Sequence, residues 1–290
     1  MLRIASRGSE LALWQANHVA SLLEEETEVV VVSTAGDRNR DVPISAIGGR
    51  GVFTKEVQAA VLDGRADLAV HSAKDLPSAP ELQPEGLVLG CVPERADPRD
   101  ALVGSTLDAL APGATVATGS VRRRAQLADR RPDLTFTELR GNMDTRVSKV
   151  PEGGAVVVAL AALQRLGWED RIAEVLPTTV VLPQVGQGAL AVECRADDDV
   201  TRDALRRIEH GDSRRCVDAE RSWLAALGGG CDLPAGAHCT PDGRVRAVLA
   251  SFDGRIVLRD EIDGFDGATL AERMLDGGGR HLLAEAGVVR

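Results

Sequence analysis

Cys231 lies in the run Gly228-Gly229-Gly230-Cys231-Asp232-Leu233-Pro234. Three glycines leave the backbone free to take positive φ, and Pro234 keeps a helix from running through. The pattern puts a thiol, whose thiolate is a soft nucleophile, on an exposed loop rather than in a packed core. A second candidate is the run Val70-His71-Ser72-Ala73-Lys74-Asp75-Leu76-Pro77. Lys74 supplies a point charge and Asp75 a carboxylate, and an acid among cations stays ionised. Such a group can steady positive charge developing on a substrate in a water-shielded site. The plainer reading is a Lys-Asp surface pair worth about 0–1 kcal/mol.

Arginines supply the next signal. The run Thr118-Gly119-Ser120-Val121-Arg122-Arg123-Arg124 follows a strand pattern and opens a helix pattern. Free N–H groups and a partial positive charge collect at a helix start. Ser120 is placed to cap it, and guanidinium forks grip carboxylates or phosphates in pairs. Taken alone, this segment also reads as a solvated basic face. The run Leu139-Arg140-Gly141-Asn142-Met143-Asp144-Thr145-Arg146 repeats the arrangement at another strand-to-helix turn. Arg7-Gly8-Ser9 follows the first strand, and Arg165 follows a strand at 155–160. Open α/β sheets bind ligands at the carboxyl ends of their strands, so these groups mark a polyanion site. Neither a GxxxxGK[ST] loop nor a GxGxxG after a strand is present, which favours carboxylates over nucleotides. The glycine-rich run Gly48-Gly49-Arg50-Gly51-Val52-Phe53 sits in a long loop. Either the loop is a lid whose Phe53 stacks on a flat ligand, or Phe53 anchors the next helix to the core.

The elements that must position these groups alternate through the first two thirds of the chain. Strand patterns at 3–5, 29–32 and 66–70 are separated by helix patterns at 9–25 and 55–62, with a polar loop at 34–52. After a proline-bearing joint at 93–98 come strands at 114–118, 134–138 and 155–160, with helices from about 121 and near 145. A joint at 183–188 precedes a strand at 189–193 that returns to the first unit. The remainder differs: a helix at 214–227, strands at 245–251 and 255–261, then helices from 268. The expected fold class is therefore α/β, mixed sheets covered by helices, with a smaller α+β carboxyl-terminal domain. The expected domains are 1–92 with 187–208, then 93–186, then 209–290.

Composition narrows the function class. Hydrophobic and charged contents of 44% and 27% suit a globular chain with its own cores. No apolar run approaches bilayer length, so no membrane partner is expected. Met1-Leu2-Arg3-Ile4-Ala5 enters a strand at once, without a charged-then-apolar leader, and the expected location is cytoplasmic. Five cysteines form no CxxC pair, which fits a reducing compartment. Scattered histidines argue against a metal site. A net charge of −10 disfavours nucleic acid. Lysine occurs only at Lys55, Lys74 and Lys149, which fits either a high-salt cytoplasm or codon bias.

Together the motifs resemble the porphobilinogen deaminase (hydroxymethylbilane synthase) family. The matching stretches run in order from RIASRGSELALWQA at Arg3 through GGRGVFTKE, VHSAKDLP, ERADPRDAL, ATGSVRRRAQLADRRPDL, LRGNMDTRVSKV and LPQVGQGALAVECR to AERSWLAALGGGCDLPAG, ending at Gly236. The resemblance fades over the last fifty or so residues. It implies two lobes like those of periplasmic binding proteins and a third domain carrying the cysteine loop. It implies a monomeric transferase of tetrapyrrole and haem biosynthesis. Such an enzyme condenses four porphobilinogen molecules head to tail into hydroxymethylbilane, releasing ammonia.

The resemblance also implies a cofactor, dipyrromethane, held through a thioether to Cys231. Each pyrrole carries an acetate and a propionate, which accounts for many arginines on an acidic protein. Matched by motif, Ser72, Lys74, Asp75, Thr118, Ser120, Arg122, Arg123 and Arg146 bind the cofactor, with Asp75 as the catalytic carboxylate. Arg7, Ser9, Gln15, Arg50, Phe53, Arg140, Arg165 and Gln187 fall near the incoming substrate. Asp75 would hold pyrrole N–H groups and steady the cation formed as ammonia leaves. The chain departs from many relatives at Ala46 and Arg50, where they have lysine; Arg50 keeps the charge. A two-lobed polycarboxylate receptor without catalysis is the alternative, and it has no need of Cys231.

Overall fold

A computed structural model describes residues 1–34, 54–228, 230 and 232–287. The chain divides into two compact units, Met1–Ala96 with Ala189–Arg215, and Asp97–Gly188 with Cys216–Arg290. In chain order the first stretch forms β1 (Leu2–Arg7), α1 (Glu10–Leu22), β2 (Thr27–Val32), α2 (Lys55–Leu62), β3 (Leu68–Ser72) and β4 (Leu87–Cys91). Then follow β5 (Asp100–Val103), β6 (Thr115–Ala117), α3 (Val121–Arg130), β7 (Thr135–Thr137), α4 (Met143–Val147), β8 (Ala155–Ala159), α5 (Leu160–Arg165) and β9 (Ile172–Leu176). The last stretch forms β10 (Leu190–Arg195), α6 (Asp199–Arg207), α7 (Gly211–Leu227), β11 (Ala235–Cys239), β12 (Val245–Ala250), β13 (Val257–Ile262), α8 (Gly267–Met274) and α9 (Arg280–Glu285).

In the first unit the strand order is β2-β1-β3-β10-β4. β1 runs parallel to β2 and β3, whereas β10 is antiparallel to β3 and β4. The strand at 189–193, expected to return to this unit, does so as β10. Successive side chains point to opposite faces of a strand. Ile4, Leu68, Val70 and Val192 accordingly face a core with Ala16 and Val19 of α1 and Leu205 of α6. Ala5 and Ala69 face the other core, with Val57, Ala60 and Val61 of α2. Helices on both faces explain why these strands read as nearly unbroken apolar runs.

The second unit repeats the plan with the order β7-β6-β8-β5-β9. β6 is parallel to β7 and β8, and β5 is antiparallel to β8 and β9. A further antiparallel sheet, β11-β12-β13, has its own core around Trp223, Leu227, Leu249 and Leu270. The expected class holds: two mixed five-stranded sheets with covering helices, and a smaller α+β part. The expected helix at 9–25 is shorter, because Ser9 is its cap and Leu23 has left the helix with ψ 143°. Sequence reading missed β4, β5, β9, β11, α5 and α6.

Candidate active site

Because β1 and β3 are parallel neighbours, their carboxyl ends leave the sheet at the same edge. β1 ends at Arg7, and Ser9 then caps α1 by accepting from Ala12 N at 3.3 Å. Gln15 is buried on α1. β3 ends at Ser72, and a single 3-10 turn over Ala73–Asp75 follows. That turn is pinned where Ala73 N donates to Ala189 O at 3.0 Å and Leu76 N to Ala73 O at 3.3 Å. Lys74 is half-buried and Asp75 exposed. One residue before Ser72, a buried triad lies between α2 and the sheet. His71 Nε2 is 3.1 Å from Glu193 Oε2, and Gln58 Nε2 donates to both Glu193 oxygens at 3.2 and 2.9 Å.

The second unit presents three parallel carboxyl ends on one edge, those of β7, β6 and β8. After β7 come Arg140, whose Nη2 is 3.1 Å from Glu138 Oε1, and α4. Asn142 caps α4 by accepting from Thr145 N at 2.9 Å, and Arg146 Nε donates to Gly141 O at 2.9 Å. After β8 comes α5, at whose end Arg165 Nη2 donates to Gly188 O at 2.7 Å. Burial lowers the Arg165 guanidinium to about 10.

After β6, Thr118 Oγ1 accepts from Ser120 N at 3.2 Å, and Ser120 Oγ caps α3 by accepting from Arg123 N at 3.4 Å. Gly119 must lack a side chain, since a Cβ there would lie 2.6 Å from Leu139 O. Arg122 and Arg123 do not lie open on the surface of α3; they are 3% and 7% exposed. Both converge on Asp100, the fully buried first residue of β5. Arg123 donates to Asp100 Oδ1 from Nε at 3.0 Å and Nη2 at 2.7 Å. Arg122 Nη2 lies 2.9 Å from Asp100 Oδ2. Gln187, also fully buried, donates from Nε2 to Asp100 Oδ1 at 2.8 Å and to Pro98 O at 2.7 Å.

Burial alone would raise the Asp100 carboxyl; the guanidiniums of Arg122 and Arg123 outweigh it and hold it well below the usual carboxylate range. Burial depresses the Arg122 guanidinium against the pull of Asp100. The segment after β9 is fastened to α3: Arg122 Nη1 donates to Leu182 O at 2.5 Å, and Gln126 bonds Leu182 O at 3.0 Å and Leu182 N at 2.8 Å. Glu220 of α7 accepts from Gly186 N at 2.7 Å and Cys239 N at 2.9 Å.

The cluster suits an anionic ligand. Two cations face one anion, leaving one positive charge uncancelled. Arg122 Nε is buried without a hydrogen-bond partner among the described residues, whereas Nη2 is paired with Asp100 Oδ2. A buried donor left unmade costs about 1–3 kcal/mol, so a ligand carboxylate there is favoured.

The family model for "Porphobilinogen deaminase, dipyromethane cofactor binding domain" matches residues 2–203. The chain belongs to the porphobilinogen deaminase family. It is 46% identical to a porphobilinogen deaminase of Syntrophus aciditrophicus, covering 97% of each chain. Identity is 45% to that of Pelobacter propionicus, over 98% of this chain and 96% of the other. It is 44% to that of Geobacter sulfurreducens, over 98% and 94%. These matches support an enzyme and not the receptor alternative. A TRAP periplasmic solute binding protein from Desulfovibrio salexigens is 12% identical over 73% of each chain with a TM-score of 0.44, a likeness that decides nothing.

Asp75, Lys74, Ser72, Arg7 and Ser9 thus share one sheet edge of the first unit. Thr118, Ser120, Arg122, Arg123, Arg140, Arg146, Arg165 and Gln187 belong to the second. Cys231, Arg50, Phe53 and Ala46 lie outside the described residues. Sequence reading missed Asp100, Glu193, Gln58 and Glu220. Asp100 had a signal: an acid directly before the apolar run Ala101-Leu102-Val103, where a strand begins.

Proposed function

We propose that this protein condenses four porphobilinogen molecules head to tail into hydroxymethylbilane with release of ammonia. The observation that carries the reading is the buried Arg122–Arg123–Asp100 cluster, one positive charge in excess. It lies within the residues matched by the cofactor-domain model.

Dipyrromethane, tethered through the thioether of Cys231, supplies the free pyrrole carbon on which the chain grows. The residues do the rest. Arg122, Arg123, Arg146, Lys74, Ser72, Thr118 and Ser120 hold the cofactor through its carboxylates. Arg7, Ser9, Gln15, Arg50, Phe53, Arg140, Arg165 and Gln187 receive the acetate and propionate of the incoming substrate. Asp75 stands on a short turn whose backbone is tied to Ala189 through Ala73. From there it accepts hydrogen bonds from pyrrole N–H groups and offsets positive charge as ammonia leaves, a preorganised electrostatic role. The three-part division at 1–92 with 187–208, 93–186 and 209–290, a monomeric state and a cytoplasmic location belong to the same proposal.

The deciding experiment is the intact mass of freshly purified, active protein. A mass above that of the sequence by one dipyrromethane supports the reading. An unmodified mass in fully active protein overturns the tether.

A further inference from the structure

The end of β3 that leads to Asp75 is held on one side only by the sheet. Among the described residues β3 meets β1 at Ile4–Leu68 and Ala5–Ala69 and no further. Val70, His71 and Ser72 pair with β10 alone, opposite Val192, Ala191 and Leu190. This half-paired end runs straight into the turn Ala73–Asp75. Glu193 supplies a second attachment. Its own backbone is paired on both sides, with Ala69 of β3 and Leu89 of β4. Its side chain takes His71 Nε2 on Oε2 at 3.1 Å and Gln58 Nε2 of α2 on both oxygens at 3.2 and 2.9 Å. All three side chains are buried. Apolar replacements of such buried polar groups are often neutral or better for stability, so stability alone does not account for the triad.

We propose that Glu193 is a positioning residue for Asp75, bracing the half-paired end of β3 against α2 through His71 and Gln58. The inference rests on the reading of Asp75 as the carboxylate that steadies positive charge as ammonia leaves. A ladder on one side leaves the strand end free to swing about that ladder. The brace removes this freedom, because His71 is only four residues from Asp75 and Glu193 sits at a point fixed by two neighbouring strands. A preorganised charge is effective only where it is held in place, so the brace acts on turnover more than on binding.

The test measures kcat, KM and melting temperature of dipyrromethane-loaded protein, with loading checked by intact mass. It compares the parent with Glu193→Leu, Glu193→Gln and the triple variant Gln58→Leu/His71→Leu/Glu193→Leu, each made also with Asp75→Asn. Glu193→Leu is expected to lose about tenfold or more in kcat with KM near the parent value, the mark of a misplaced group. The triple variant removes every polar member of the triad, so it folds where Glu193→Leu does not, and shows the same loss. Glu193→Gln keeps an oxygen for His71, and Gln58 can turn its amide over to accept from the new side chain; it should recover most of the loss. With Asp75→Asn present, the Glu193 changes should cost nothing further, because the group they misplace has already lost its charge. A loss just as large in that background makes Glu193 purely structural and overturns the proposal. So does a lower melting temperature at parental kcat. If Asp75→Asn alone turns over at the parental kcat, the reading of Asp75 falls, and the role of Glu193 falls with it.

Discussion

Gly236 of β11 lies against the side chain of Arg122, so close that a Cβ at position 236 would sit 2.9 Å from Arg122 Cδ and 2.6 Å from Pro183 O. Neither neighbour can yield easily. Arg122 Nη1 and Gln126 both hold Leu182, the residue before Pro183. The third sheet thus constrains Arg122, a member of the Asp100 cluster. Gly236→Ala is expected to cost about 1–3 kcal/mol as an overpacked contact. It should also slow cofactor uptake by tilting Arg122. Gly211→Ala, at a position with open space around it, serves as the control. Melting curves and intact masses check both; normal uptake in Gly236→Ala would show that Arg122 tolerates displacement.

The sulfur tether proposed at Cys231 makes a different demand. Cys91, Cys194, Cys216 and Cys239 are all buried. Burial raises the Cys194 thiol to about 11 and the Cys91 thiol further still. A thiol kept protonated is a poor nucleophile. Cys231→Ser should therefore yield protein of unmodified mass with no turnover, no buried thiol substituting for it. Parent-like mass gain in that variant would remove Cys231 from the chemistry.

What the sequence showed follows from where the information is local. Strand and helix periodicity, with a cap at Ser120, placed the arginines at strand ends, because neighbours along the chain decide those features. The inward turn of Arg122 and Arg123 was not legible. It depends on Asp100, more than twenty residues away in sequence, and on a strand of four residues with no alternating pattern. The His71–Glu193 pair was hidden for the same reason, since antiparallel pairing of β3 with β10 brings together residues far apart in sequence.

Acid should expose the Asp100 cluster. A carboxyl depressed in the folded state stabilises it above the unfolded value of about 3.9, and that contribution is lost as pH falls through the folded value. In Asp100→Asn the contribution is absent at every pH. The melting-temperature gap between parent and Asp100→Asn should thus be widest above about pH 5 and narrow steadily toward about pH 2. Other carboxylates titrate in both proteins and drop out of the difference. A gap that stays constant over that range would mean that Asp100 is not ionised in the folded protein.

Asp75 separates binding from turnover. Its side chain is exposed on the turn after β3, so the fold does not lean on it, and Asp75→Asn should melt with the parent. Asparagine keeps an oxygen that accepts a pyrrole N–H but loses the negative charge. The lost interaction matters most when positive charge is greatest, as ammonia departs, so kcat should fall while KM stays near the parent value. Removing one preorganised electrostatic group costs on the order of 10²–10³ in kcat, which sets the expected size. Asp75→Glu restores charge at the wrong distance and should recover only part of the loss. A rise in KM with unchanged kcat would make Asp75 a binding group that treats substrate and transition state alike, and the electrostatic role assigned to it would be gone.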